Sequence, residues 1–291
     1  ENAHDDHVGR QKSLIGIQNY GKREGWLLNG AHVRAKEDVL GAGSFGVVME
    51  GELFGAPVAI KMPKNSQGDC ITTDIINELR VLRHVWHPNI VRFYGACVDP
   101  GSLSVIVVLE LLRGKQLDQF VCDTVAKTTE LHRHHLLLDI CRALCYLHGQ
   151  KPCIVHGDLK GSNILVESWK SGPRAKLLDF GLSRLVTKRW NPMGGTVKWM
   201  APEVIRGQAG PPHSSADVFS FGRLAFLIAT GCKPLDSMTA DEIIEEVRNL
   251  KITPLDWPEH ETTFISQCHS LADRCLRLAV AMRPTIGEVY A

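Results

Sequence analysis

Between His32 and Leu112 apolar residues mostly alternate with polar ones in short runs, the period of two that half-buried strands produce. One strand is predicted to lead into Gly41, followed by Val47–Leu53, Pro57–Met62, Val91–Val98 and Leu103–Leu112. Thr73–His84 breaks the alternation: its apolar residues fall at helical spacing and predict one helix among the strands. After Arg113-Gly114-Lys115 the period becomes helical, over Leu131–His148, Ala216–Thr230, Ala240–Arg248 and Phe264–Leu278. Pro284 to Tyr290 opens a further helix without a stop signal, so the chain is expected to be cut from a longer protein. Residues 1–31 are polar, with Leu14, Ile15, Ile17, Trp26, Leu27 and Leu28 as their packing material. They read as a partly ordered extension that docks by Trp26.

Composition narrows the function classes. The chain has 291 residues, 44% apolar and 22% charged, enough for one large domain or two packed lobes. A net charge of +1 supplies no global basic field, so neither nucleic acid nor an anionic membrane is expected as a partner. Nine cysteines, without a C-x-x-C pair, suit a reducing, cytoplasmic compartment better than a disulfide framework or a zinc site. Cys141 and Cys145, four apart on a helix, read as small buried residues. The most apolar run, Phe219 to Ala229, is interrupted by Arg223 and too short to span a bilayer, so no transmembrane segment is expected. His132, His134 and His135 lack a matching carboxylate or Cys and read as a solvated helix face rather than a metal site.

The chemistry concentrates in His156-Gly157-Asp158-Leu159-Lys160-Gly161-Ser162-Asn163, followed sixteen residues after Asn163 by Asp179-Phe180-Gly181. Asp158 can accept a hydroxyl proton, Lys160 can neutralise a migrating phosphoryl group, and Asn163 with Asp179 offers two hard oxygen ligands for Mg²⁺. Upstream lies Gly41-Ala42-Gly43-Ser44-Phe45-Gly46-Val47-Val48, then Val58-Ala59-Ile60-Lys61, a strand ending in a cation. A dinucleotide fold would place a helix directly after such glycines. Ala201-Pro202-Glu203 and the distant Arg283 complete the set. In this order the motifs resemble those of the eukaryotic protein kinases, over about residues 32 to 291, departing in the catalytic run only at Gly157, where the family usually carries Arg.

The resemblance implies an α+β, bilobal protein kinase fold: an N-lobe of small antiparallel sheet with one main helix over 32–112, and a larger, mainly helical C-lobe over 113–291. It implies ATP and Mg²⁺ as cofactors and proteins as substrates. Leu40, Gly41, Gly43, Gly46, Val48 and Ala59 would enclose the nucleotide, Lys61 would hold its phosphates, and Glu78 would hold Lys61. Leu109 takes the gatekeeper position, with backbone groups of Glu110 and Leu112 at the adenine edge and Leu165 beneath the ring. His156 and Phe180 are structural; Glu203 pairs with Arg283, and Asp217 holds the catalytic loop from beneath.

Lys160 with Thr196, in Gly-Thr-x-x-Trp-Met-Ala-Pro-Glu, resembles the tyrosine-kinase-like group, relatives of Raf and mixed-lineage kinases, and implies transfer to Ser and Thr. Thr196 would bridge Asp158 and Lys160. With glycine at 157, no guanidinium receives a phosphate from the segment holding Ser183 and Thr187, so activity is expected to depend more on regulatory domains or partners outside this chain, or to be constitutive. The alternative is a pseudokinase, a nucleotide-binding scaffold without efficient transfer. Lys61, Asp158, Asn163 and Asp179, whose loss usually marks pseudokinases, are all present.

Overall fold

The computed structural model describes residues 2–43, 46–62, 79, 81–124, 128–180, 194–207, 213–260 and 262–291. They form two compact units, residues 1–86 with 91–113 and residues 87–90 with 114–291.

The first unit is built on five antiparallel strands, β1 (Val33–Gly43), β2 (Gly46–Leu53), β3 (Ala56–Met62), β4 (Phe93–Asp99) and β5 (Ser104–Glu110), in the order β1-β2-β3-β5-β4. The central strand β3 is buried from Val58 to Lys61, so its two faces serve different purposes. Val58 and Ile60 join Val108 in a core that Leu28, Val33, Leu53 and Ile106 extend. Ala59 and Lys61 belong to the opposite face, because alternate residues of a strand point to opposite sides. Of the predicted Thr73–His84 helix, Leu79, Val81, Leu82 and the turn that closes it at Arg83 are described; Leu79, Val81 and Leu82 are each 2% exposed.

The N-terminal extension, to which the sequence assigned no element, contains a 22-residue helix, Asn2–Arg23 (α1). Its few apolar residues suffice because Leu14 and Ile17, three apart on one face, are both buried. Gln18 Nε2 donates to Val98 O at 3.0 Å. Trp26 is buried against Tyr20 and Phe93, and its ring lies so close to Gly21 that a Cβ there would be only 2.8 Å from it. Beyond Trp26 the backbone runs beside β4, with Ala96 N donating to Trp26 O and Leu28 N donating to Ala96 O.

The second unit is mainly helical: α2 (Leu117–Thr124), α3 (Glu130–His148), α4 (Pro202–Ile205), α5 (Ser214–Thr230), α6 (Ala240–Arg248), α7 (Thr263–Cys275) and α8 (Ile286–Tyr290). A three-stranded sheet of β6 (Gly114–Gln116), β7 (Ile164–Trp169) and β8 (Gly172–Leu177) accompanies them. Helix α5 is buried at every position from Ser215 to Ala229, the signature of a central helix. Its end is set by Gly231, whose φ of 78° supplies the left-handed cap and whose N–H bonds Leu227 O. Side-chain caps set the other starts: Thr129 accepts from His132 N at α3, and Thr239 with Glu242 forms a capping box at α6. The eight described cysteines are free thiols, Cys141 buried and Cys145 half-buried. No helix among the described residues is long and apolar enough to cross a membrane.

Candidate catalytic site

The run His156 to Asn163 lies between α3 and β7, and a buried carboxylate sets its backbone. Asp217, in the first turn of α5 and 1% exposed, accepts the N–H of His156 at 2.8 Å and of Gly157 at 2.9 Å. The oxygen that accepts from His156 also meets His148 Nε2 at 2.9 Å. Burial pushes this carboxyl upward, but the His148 bond and the loop's N–H donors outweigh it, and the group is held below the usual Asp range. Gly157 has φ 77°, a left-handed conformation that costs nothing without a Cβ. Sequence reasoning missed His148; its signal was a histidine closing α3, eight residues before His156.

His156 is fully buried and orients Asp158, two positions along the chain. Asp158 N–H donates to its Nδ1 at 3.4 Å, which leaves the ring proton on Nε2, 3.1 Å from Leu178 O. Phe180, also fully buried, packs on this ring with centroids 5.3 Å apart. The side chain of Asp158 is 4% exposed, and its Oδ2 accepts from Lys160 Nζ at 2.7 Å and from Asn163 Nδ2 at 2.9 Å. Its Oδ1 is buried with no hydrogen-bond partner among the described residues. One oxygen is thus held in place while the other keeps its accepting capacity. Burial lifts the Asp158 carboxyl above the ordinary range, and Lys160 offsets part of that rise. Lys160 Nζ also donates to Thr196 Oγ1 at 3.1 Å, joining the loop to the segment 194–207.

Leu178 N–H donates to Asn163 O at 2.8 Å, so Asp179 directly follows the residue paired with Asn163. Asp179 has φ 53°, a left-handed conformation that Asp tolerates better than most residues. No group of three His, Cys, Asp or Glu side chains among the described residues forms a metal cage. An amide oxygen and a carboxylate suit Mg²⁺, which keeps several waters and completes its shell from phosphates.

In the first unit the register brings predicted residues together. Lys61, 8% exposed, pairs with Val48 on β2 and Val107 on β5, and Ala59 pairs with Leu109. By the alternation of the pleat, Val48, Ala59, Lys61 and Leu109 share the face opposite the Val58–Ile60–Val108 core. Gly41 pairs with Val48 and Gly43 with Gly46, while Leu40 on β1 is 48% exposed. Glu110 N–H donates to Arg92 O at 2.8 Å. Leu165 is half-buried on β7 of the second unit. Glu78, Ser44, Phe45, Gly181, Ser183 and Thr187 lie outside the described residues.

The segment 194–207 is fastened to the second unit's core. Ser220 Oγ donates to Trp199 O at 2.8 Å, and Arg223 Nη1 donates to Lys198 O. Arg283 forms a two-pronged pair with Glu203, both bonds 2.7 Å, and its guanidinium also bonds Ser215 O.

Comparison with known proteins agrees with this architecture. The chain matches the family described as Protein kinase domain over residues 34–291, and it belongs to that family. Among its relatives is "Serine/threonine-protein kinase CTR1" of Arabidopsis thaliana, 33% identical over 218 residues, covering 72% of this chain and 26% of that protein. "Probable serine/threonine-protein kinase SIS8" of the same plant is 31% identical over 258 residues, covering 87% of this chain and 24% of its own length. "Dual specificity protein kinase shkA" of Dictyostelium discoideum is 35% identical over 201 residues, 67% of this chain and 37% of that protein. The chain thus spans between about a quarter and somewhat over a third of the length of these relatives.

Proposed function

We propose that this chain transfers the γ-phosphate of ATP to Ser and Thr hydroxyls of protein substrates, with Mg²⁺, as a signalling kinase of the tyrosine-kinase-like group. The observation that carries the reading is the divided role of the Asp158 carboxylate, one oxygen fixed by Lys160 and Asn163 and the other buried and unsatisfied among the described residues. In this reading Asp158 Oδ1 accepts the substrate hydroxyl proton, and Lys160, already between Asp158 and Thr196, places positive charge where the phosphoryl group passes. Asn163 and Asp179 hold Mg²⁺, which neutralises charge developing on the phosphate oxygens. Lys61 holds the nucleotide's phosphates. Val48, Ala59 and Leu109, on the Lys61 face of the sheet, meet the adenine together with Leu40, the glycines Gly41, Gly43 and Gly46, Glu110 and Leu112. His156, Phe180, Thr196, Glu203, Asp217 and Arg283 keep these groups in place. A cytoplasmic setting is supported by the eight free thiols of the described residues. The scaffold reading has no observation in its favour, since Asp158, Lys160 and Asn163 are assembled with hydrogen bonds of 2.7–2.9 Å.

Radiolabel transfer from ATP to a generic protein substrate, with phosphoamino-acid analysis, tests the proposal. Phosphoserine and phosphothreonine are expected, with Asp158→Asn reducing kcat by about 10²–10⁴-fold, the usual worth of a positioned base. A product dominated by phosphotyrosine would overturn the substrate class, and unchanged turnover in Asp158→Asn would overturn the site.

A further inference from the structure

Helix α2 carries Cys122 in its last turn, beside the turn that closes α5. Cys122 Sγ donates to Gly231 O at 3.1 Å, and the residue after Gly231 is Cys232, exposed as Cys122 is. A carbonyl oxygen and the following Cα share one peptide plane, which puts the Cys232 Cα within about 6 Å of the Cys122 sulfur. Cys232 Sγ meets Thr230 O at 3.9 Å, a weak contact that a change of rotamer gives up. Burial pushes the Cys122 thiol up, Lys233 offsets part of that rise and Cys232 adds to it, so both neighbours lie within electrostatic reach of its sulfur.

We propose that Cys122 and Cys232 form a reversible disulfide when the chain meets a peroxide. Disulfides of reducing compartments are transient and redox-sensing, and two exposed thiols that converge from separate helices suit that role. Cys232 attacks hydrogen peroxide as the thiolate: its sulfur takes one oxygen as the O–O bond breaks, and the released hydroxide with the thiol proton becomes water. Cys122 then attacks the sulfenic sulfur, the S–S bond forms, and the departing hydroxide takes the Cys122 proton as a second water. Two thiols are oxidised and one peroxide is reduced. Two molecules of a small thiol restore both residues by exchange and leave as a disulfide. The bond fastens α2 to the end of α5 where both meet the catalytic run: a Cβ on Gly161 would lie 3.0 Å from Asp118 Cβ of α2 and 3.2 Å from Leu227 Cδ2 of α5. Its formation does not depend on phosphate transfer, so the two are measured separately.

The test treats the whole chain with a small excess of hydrogen peroxide, blocks free thiols, and maps the unreduced digest by mass spectrometry. A peptide pair joined through Cys122 and Cys232, within a single chain and abolished by dithiothreitol, is expected. A bridge from either residue to Cys153 or to a second copy, or oxidation of Cys232 while Cys122 stays a free thiol, overturns the proposal. In Cys122→Ser the sulfenic acid on Cys232 has no thiol to consume it, so its labelling by dimedone should rise several-fold over the parent; unchanged labelling removes Cys122 as the partner. Should that variant fail to fold, the digest of the parent decides, and the absence of the joined pair overturns the site.

Discussion

At the scale of single residues, the decisive group is Asp158, whose ionisation should set the acid limb of activity. As the proposed base it must be ionised to accept a proton, and burial has raised this carboxyl, so kcat/KM should fall on acidification with a limb lying above the usual Asp range near 3.8. Lys160 favours the ionised form; Lys160→Met should therefore move the limb to still higher pH, besides lowering kcat. A limb that stays in place in the variant would sever the link between the two side chains. Gly157 gives a second test. Gly157→Arg restores the family's usual side chain but forces it to the glycine's φ of 77°, a strain of about 1–2 kcal/mol that should appear as a lowered urea midpoint. With glycine in place, phosphatase treatment is expected to leave activity nearly unchanged, because a charge-assisted bond worth about 1.5–3 kcal/mol has no receiver at this position. The meeting of Asp158, Lys160 and Asn163 was legible in the sequence, because the proposed proton transfer, charge neutralisation and metal binding each admit few residue types at fixed spacing. His148 was not, since nothing in its neighbourhood along the chain shows that it meets a carboxylate 69 residues away.

At the scale of elements, α5 carries a polar cost that its partners offset. Asp217→Ala would leave His148 and two backbone N–H groups without their shared acceptor, and Glu203→Ala would strand the buried Arg283. Each should lower unfolding stability by about 3–5 kcal/mol, measured by urea titration. Because the Asp217 carboxyl is held below its unfolded value, its contribution is fully present above about pH 4 and is lost as pH falls through the lower folded value. In Asp217→Ala the acid dependence of stability should accordingly be shallower. Strands β2, β3 and β5 were readable from alternation, and α3, α5, α6 and α7 from helical period, since each buries one defined face or, for α5, all of them. Helix α1 escaped because a helix whose buried positions, among those whose burial is described, are Leu14, Ile17 and Gly21 leaves almost no periodic signal. The strands β6, β7 and β8 escaped as well, β6 being three residues long and exposed throughout.

For the whole molecule, the two-part layout was visible as a change of period near Arg113, while the strand order was not. Alternation tells which face of a strand is buried but not which strand lies beside it, and the β3–β5 pairing skips β4 in sequence. That order leaves β4 at one margin of the sheet, where a strand presents unpaired N–H and C=O groups. Trp26 and Leu28 bond both backbone groups of Ala96 there, and Trp26 is anchored by Tyr20 and Phe93. Trp26→Ala should cost about 3–5 kcal/mol in urea titration. The same variant should speed hydrogen exchange at the Ala96 amide far more than at amides of β3, which has neighbours on both sides. A chain trimmed of residues 1–28 would expose an uncapped margin to every other copy in solution. Its sheets would then be able to join edge to edge, so concentration-dependent association in light scattering, absent from the untrimmed chain, is what the loss of so small a cover should produce.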